Sequence, residues 1–197
     1  REGSLNVVSE TGAMLPNYPF SVVDRVFVAS PLVLDINGDG NLDIALISRS
    51  LGGEYFLSVY RADTSLLAEI SLGNNEVYFD PVADPILGAP GYDLLVPFVS
   101  GAVKKYHFGG GALAPTDIFN FNSPANLSVS VYGDTLAVAF PSLKKVSLYK
   151  KNNGVWQLNK DIITQAEVIF PVLFGADPAI YVVGKNKQLL GYNSISG

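Results

Sequence analysis

The nine residues Asp35-Ile-Asn-Gly-Asp-Gly-Asn-Leu-Asp43 are flanked on both sides by strand-like runs, and that combination constrains the fold more than any other feature of the chain. Asp35, Asn37, Asp39 and Asp43 set side-chain oxygens at alternate positions, and Asn41 can add a backbone carbonyl. Gly38 and Gly40 allow the positive φ that curls such a loop. Three carboxylates held this close repel one another unless a cation sits among them. Hard oxygen donors on a flexible loop are what Ca²⁺ selects. A plain solvated turn uses Asn-Gly and Asp-Gly pairs but has no need of this regular ligand spacing.

The flanks exclude the commonest calcium loop. Upstream, Val26–Leu34 is apolar, β-branched and broken by Pro31; downstream, Leu42–Ser48 is short and apolar. Both read as strands. A helix–loop–helix site also needs a bidentate Glu at the twelfth loop position, where this chain has Leu46. The loop therefore joins two strands, and the expected class is all-β. The 10 Tyr, 11 Phe, 19 Gly and 12 Pro agree with that class.

Strand-like segments recur with a period of roughly 45 residues, a spacing typical of propeller blades. One domain over 1–197 is expected, with units at about 26–72, 77–121, 126–165 and 167–197. The second unit would begin with Val77-Tyr-Phe-Asp-Pro-Val82 as a strand. The fourth supplies three strands, Val168–Phe174, Ala179–Val183 and Leu189–Tyr192. Residues 5–20 read as a hairpin that could close the ring by pairing with the C-terminal strands. The total is seventeen strand-like segments, against about sixteen for four four-stranded antiparallel blades and about twenty for five. Four blades fit best; part of a larger propeller is the alternative.

With these residues in view, the chain resembles the FG-GAP/VCBS family, the blade repeat of integrin α-chain propellers. Asp35-Ile-Asn-Gly-Asp-Gly-Asn-Leu-Asp-Ile44 carries the resemblance. Asp134-Thr-Leu-Ala-Val-Ala-Phe-Pro141 with Val146-Ser-Leu-Tyr149 is similar to a second copy without its metal loop, and Gly88-Ala-Pro-Gly-Tyr-Asp-Leu-Leu95 to a third, degenerate one. The resemblance implies a β-propeller with Ca²⁺ held between the first two strands of a blade. Asp35, Asn37, Asp39 and Asp43 would then ligate by side chain and Asn41 by its carbonyl. Asp84 and Asp93 persist in the second unit, but Pro85, Ile86, Leu87 and Ala89 replace the middle ligands; Asp134 and Asp177 stand isolated. One Ca²⁺ site is expected, not four.

Other features are read more blandly. His107 is the sole histidine and lies in a strand with no Gly-x-Ser-x-Gly elbow to serve. Trp156, Tyr149, Tyr132 and Tyr60 suit packing between sheets better than a sugar platform. Lys104-Lys105, Lys144-Lys145 and Lys150-Lys151 read as solvated edges and turns. Asn126-Leu-Ser128 has the form of a glycosylation acceptor. With no cysteine, disulfides and thiolate chemistry are excluded. Residues 1–99 hold 4 Arg against 13 acids and residues 100–197 hold 9 Lys against 5 acids. The net charge of −5 disfavours nucleic acid as a partner. No apolar run approaches the ~18 residues of a membrane span.

The expected function is that of a secreted or cell-surface, calcium-stabilised propeller used in adhesion, structure or assembly, with a protein or glycan surface as partner. Weak calcium sites fill outside the cell, where the ion is abundant. The alternatives are a carbohydrate-binding propeller and an accessory or catalytic domain of a polysaccharide-active enzyme. A spare terminal strand also allows self-assembly by strand donation.

Overall fold

A computed structural model describes residues 3–77, 80–121, 127–169, 171–175 and 179–193. Every strand pairing in it is antiparallel, and the strands form four sheets. The first holds β1 (Arg25–Phe27), β2 (Leu32–Leu34), β3 (Asp43–Ser50), β4 (Tyr55–Arg61) and β5 (Leu66–Gly73). β1 and β2 both pair with β3 and are one strand interrupted near Pro31. Proline cannot donate to a ladder. Beside it, the Ser30 N–H leaves the sheet and donates to Asp80 Oδ1 at 2.6 Å.

The second sheet holds β6 (Val82–Pro85), β7 (Tyr92–Pro97), β8 (Ala102–Gly109) and β9 (Ala112–Asn120). Its first described strand begins at Val82. Val77 makes only an isolated bridge to Phe98, and the ladder begins after Pro81, whose missing N–H cannot support it. Tyr78 and Phe79 lie outside the described residues. The third sheet holds β10 (Ser128–Tyr132), β11 (Thr135–Phe140), β12 (Lys145–Asn152) and β13 (Val155–Ile163). The turn from β12 to β13 places Asn153 at φ 50° and Gly154 at φ 80°, the left-handed pair that a two-residue hairpin requires. The fourth sheet has three described strands, β14 (Leu173–Phe174), β15 (Ala179–Val183) and β16 (Leu189–Asn193).

Successive sheets are joined face to face by apolar clusters. Ala45, Ile47 and Leu57 of the first sheet meet Leu94, Val96 and Tyr106 of the second. Leu95 and Val103 meet Leu136, Val138 and Phe140 of the third. Ala137, Ala139 and Val146 meet Ile180 and Val182 of the fourth. β3, β7 and β11 thus send alternate residues into two different cores, which is why each reads as a near-continuous apolar run.

The N-terminal residues do form a hairpin, bridged at Leu5–Phe20 and Val8–Met14. Leu5, Tyr18 and Phe20 cover Ile44, Leu46 and Tyr60 on the outer face of the first sheet, with the Phe20 ring edge-on to Tyr60 at 4.9 Å. Its apolar residues are drawn to the nearest uncovered sheet face. Among the described residues no backbone hydrogen bond ties it to the fourth sheet. No described helix is long and apolar enough to cross a membrane.

Leu94 is 0 % exposed in the cluster between the first two sheets, whereas Leu87 is 78 % exposed in the loop before β7. Leu94→Ala is expected to cost about 2–5 kcal/mol in urea unfolding and Leu87→Ala under about 0.5 kcal/mol. Equal losses would contradict this arrangement of the core.

Candidate functional site

The loop 35–42 closes between strand ends that are in register, since Leu34 of β2 pairs with Asp43 of β3. Gly38 and Gly40 take φ of 76° and 86°, so the backbone winds as the sequence required. Asp35 turns inward: Oδ1 accepts from the Gly38 and Asp39 N–H groups at 2.8 and 3.0 Å, and Oδ2 from Gly40 N–H at 2.8 Å. The Asn37 Oδ1 accepts from Asp39 N–H at 2.9 Å. Asp39 accepts from the Asn41 N–H and side-chain amide at 2.8 and 3.0 Å and from the Asn37 amide at 3.0 Å. These bonds, led by the Asn41 N–H, lower the Asp39 pKa.

Asp43 differs from the others. It is 1 % exposed. Oδ2 accepts from Ile36 N–H at 3.2 Å, while Oδ1 is buried with no hydrogen-bond partner at bonding distance. Burial raises its pKa, and the charges of Asp39 and Asp35 push the same way, against the amides of Asn37 and Ile36. The structure therefore brings Asp35, Asn37, Asp39 and Asn41 together through hydrogen bonds and seats Asp43 beneath them. Among the described residues it gathers no group of three or more His, Cys, Asp or Glu side chains disposed to hold a metal. The loop is closed by its own amides, leaving Asp43 Oδ1 as its unsatisfied atom.

The second sheet handles the same problem with protein cations. Asp84 and Asp93 stand directly opposite each other on β6 and β7, at 1 % and 5 % exposure. Asp93 receives Lys105 Nζ at 3.1 Å and His107 Nδ1 at 2.7 Å. Asp84 receives Lys151 Nζ from β12 at 2.7 Å, and that ammonium also donates to the Pro85 carbonyl at 3.2 Å and lies 5.2 Å from the Trp156 ring centre. Asp84 Oδ2 has no partner. In the third sheet, the exposed Asp134 pairs with Lys150 Nζ at 2.7 Å, which lowers its pKa. Asp177 lies outside the described residues.

Several sequence readings change here. The lysine pairs are not edge residues, apart from Lys144, which ends a short 3-10 turn. Lys104, Lys105, Lys145, Lys150 and Lys151 sit on β8 and β12, which are paired on both sides. Lys105 and Lys151 reach inward because each finds a buried carboxylate. His107 does have a partner. The β7–β8 register sets Leu94 opposite Tyr106, so the next pair outward is Asp93 and His107; drawing that hairpin from the sequence would have found it. The acids opposed at Asp84 and Asp93 are buried and paired with Lys151 and Lys105. Trp156, Tyr149 and Tyr60 are buried, as the packing reading expected, while the exposed Tyr132 stacks on Phe174 at 5.7 Å. Asn126 of the glycosylation triplet lies outside the described residues, and Leu127 and Ser128 are buried.

No protein-family model matches the chain, and no curated protein matches it.

A buried acid with a raised pKa holds its proton in the folded state where the unfolded chain, at about 3.9, has lost it. Asp43 therefore makes the metal-free protein less stable as pH rises through that window, and the penalty is complete above the raised value. In chelator, Asp43→Asn is expected to remove this fall and to melt above the parent at pH 7. A parent that outlasts the variant there would show that the carboxylate is satisfied without a cation.

Proposed function

We infer that the chain is a calcium-stabilised β-propeller module of the FG-GAP/VCBS type, working outside the cell or on its surface in adhesion, structure or assembly. The observation that carries the reading is the state of Asp43. Of the two strand-start carboxylates buried at matching positions, Asp93 has the Lys105 ammonium and a hydrogen-bonded His107 beside it, while Asp43 has no ion pair among the described residues. An unsatisfied buried carboxylate costs several kcal/mol, and a cation would offset that cost. The donor set fits Ca²⁺, being all oxygen and carried on a glycine-rich loop. Asp35, Asn37, Asp39 and Asp43 would hold the ion by side chain and Asn41 by its carbonyl. Bound there, Ca²⁺ would supply the positive charge that lets three acids share one hairpin.

The architecture supports stacked blades. Four sheets follow one another in chain order, each packed on the next through its central strand. Among the described residues, no apolar cluster holds residues of both the first and the fourth sheet. The face of the fourth sheet turned away from the third leaves Leu173, Tyr181 and Leu189 exposed. This favours consecutive blades of a larger propeller over a closed ring of four. Weak oxygen-ligand sites fill where calcium is millimolar, which supports the extracellular assignment.

The test is thermal. With Ca²⁺ at a hundred times its dissociation constant, stability should rise by about 2.7 kcal/mol, or roughly 5–10 °C for a chain of this size. Asp35→Ala should abolish the gain. A melting curve identical in Ca²⁺ and in chelator would refute the reading.

A further inference from the structure

We propose that the 35–43 loop is a clasp between the first and second sheets, so that calcium on the loop governs how firmly the two sheets dock. The inference rests on the calcium reading above and extends it from one hairpin to a junction. Its centre is Ile36, which lies between two ligand candidates in sequence. The Ile36 N–H donates to Asp43 Oδ2 at 3.2 Å. The Ile36 carbonyl accepts from the N–H of Tyr92, the first residue of β7, at 3.0 Å. Its side chain is 1 % exposed and belongs to the cluster shared by the two sheets. One residue thus connects a candidate ligand, the neighbouring backbone and the inter-sheet core.

The seam is closed by glycines. Gly38 of the loop and Gly91 of the facing 86–91 segment have φ of 76° and 95°. A Cβ on Gly38 would stand 2.8 Å from Pro90 Cβ, and one on Gly91 would stand 2.7 Å from the Ile36 carbonyl oxygen and 3.2 Å from Gly38 N. Neither position has room for a side chain, so the two loops fit at backbone distance. A cation drawing on Asp35 and Asp43 holds the residue between them. Without it, repulsion among Asp35, Asp39 and Asp43 acts on the segment that carries Ile36. Because binding and docking share that residue, each must strengthen the other.

Gly88 supplies a control. It has φ 75° in the same segment, but a Cβ there meets nothing within 4 Å. Gly88→Ala and Gly91→Ala therefore both strain the backbone, and only Gly91→Ala pushes on the clasp. Calorimetric titration with Ca²⁺ should show Gly91→Ala binding about tenfold more weakly than Gly88→Ala. Hydrogen exchange on the unmutated protein needs no variant and decides the matter should Gly91→Ala fail to fold. Chelation should raise exchange at residues 36–47 and 86–97 together, with the Tyr92 amide as the direct reporter, and leave 128–152 unchanged. The proposal is overturned if calorimetry shows Ca²⁺ binding while 86–97 exchanges identically with and without it, or if the two variants weaken binding equally. If Ca²⁺ does not bind the unmutated protein, the calcium reading itself fails and the clasp with it, a result calorimetry alone would report.

Discussion

Each central strand feeds two cores at once. In β3, Ala45 and Ile47 face the second sheet while Ile44 and Leu46 face the N-terminal hairpin. In β7, Leu94 and Val96 face the first sheet and Leu95 the third. In β11, Leu136 and Val138 face the second sheet and Ala137 and Ala139 the fourth. No side of such a strand is left for water, so its sequence must be apolar throughout. Each added sheet buries a face of the one before, and stability accumulates along the stack rather than in one centre.

That geometry makes any charge near the start of a central strand expensive. Asp43 and Asp93 both occupy that place, and both are buried. Their surroundings are built differently. Beside Asp93 the next strand supplies Lys105 and His107, so the counter-charge comes from the chain. Beside Asp43 the register partner on β4 is Arg61, whose guanidinium donates to Ser65 instead. The first sheet thus has an acidic loop where the second has basic side chains. An internal lysine and, on the proposed reading, a bound ion would answer the same electrostatic problem, but only the ion's contribution would vary with the medium.

The strands were legible in the sequence because two-sided burial leaves a plain mark. Asp43–Ser50, Tyr92–Pro97 and Thr135–Phe140 are short apolar runs set between turn residues. The hairpin turns at Gly110-Gly111 and Asn153-Gly154 carry positive φ, which narrows the choice of residue there. The start of the second sheet was not legible, because Val77 and Val82 look alike in a pattern and the difference lies in Pro81 and the Asp80–Ser30 contact. The role of the 5–20 hairpin was not either, since apolar residues announce that they will be covered but not by what. The acidic loop could be read residue by residue. Lys151 reaching Asp84 across 67 positions could not, because that pair depends on how two sheets stack.

The seams between sheets are therefore not equivalent. The first carries the acidic loop, with Ile36 in its core and Gly38 and Gly91 at its edge. The second is crossed by the Lys151–Asp84 ion pair, whose carboxylate is buried and whose lysine is partly exposed. The third is lined by small and branched apolar residues, Ala137, Ala139, Val146 and Ile180 among them. On the proposed calcium reading, a domain stable by about 5–15 kcal/mol that drew about 2–3 kcal/mol from one ion at the first seam would have that seam as its most adjustable part. The Lys151–Asp84 ion pair and the apolar contacts of the other two seams do not depend on an ion at the loop. Local openings concentrate where the supporting interaction can be withdrawn, and on the proposed calcium reading that place would be the junction between β3 and β7.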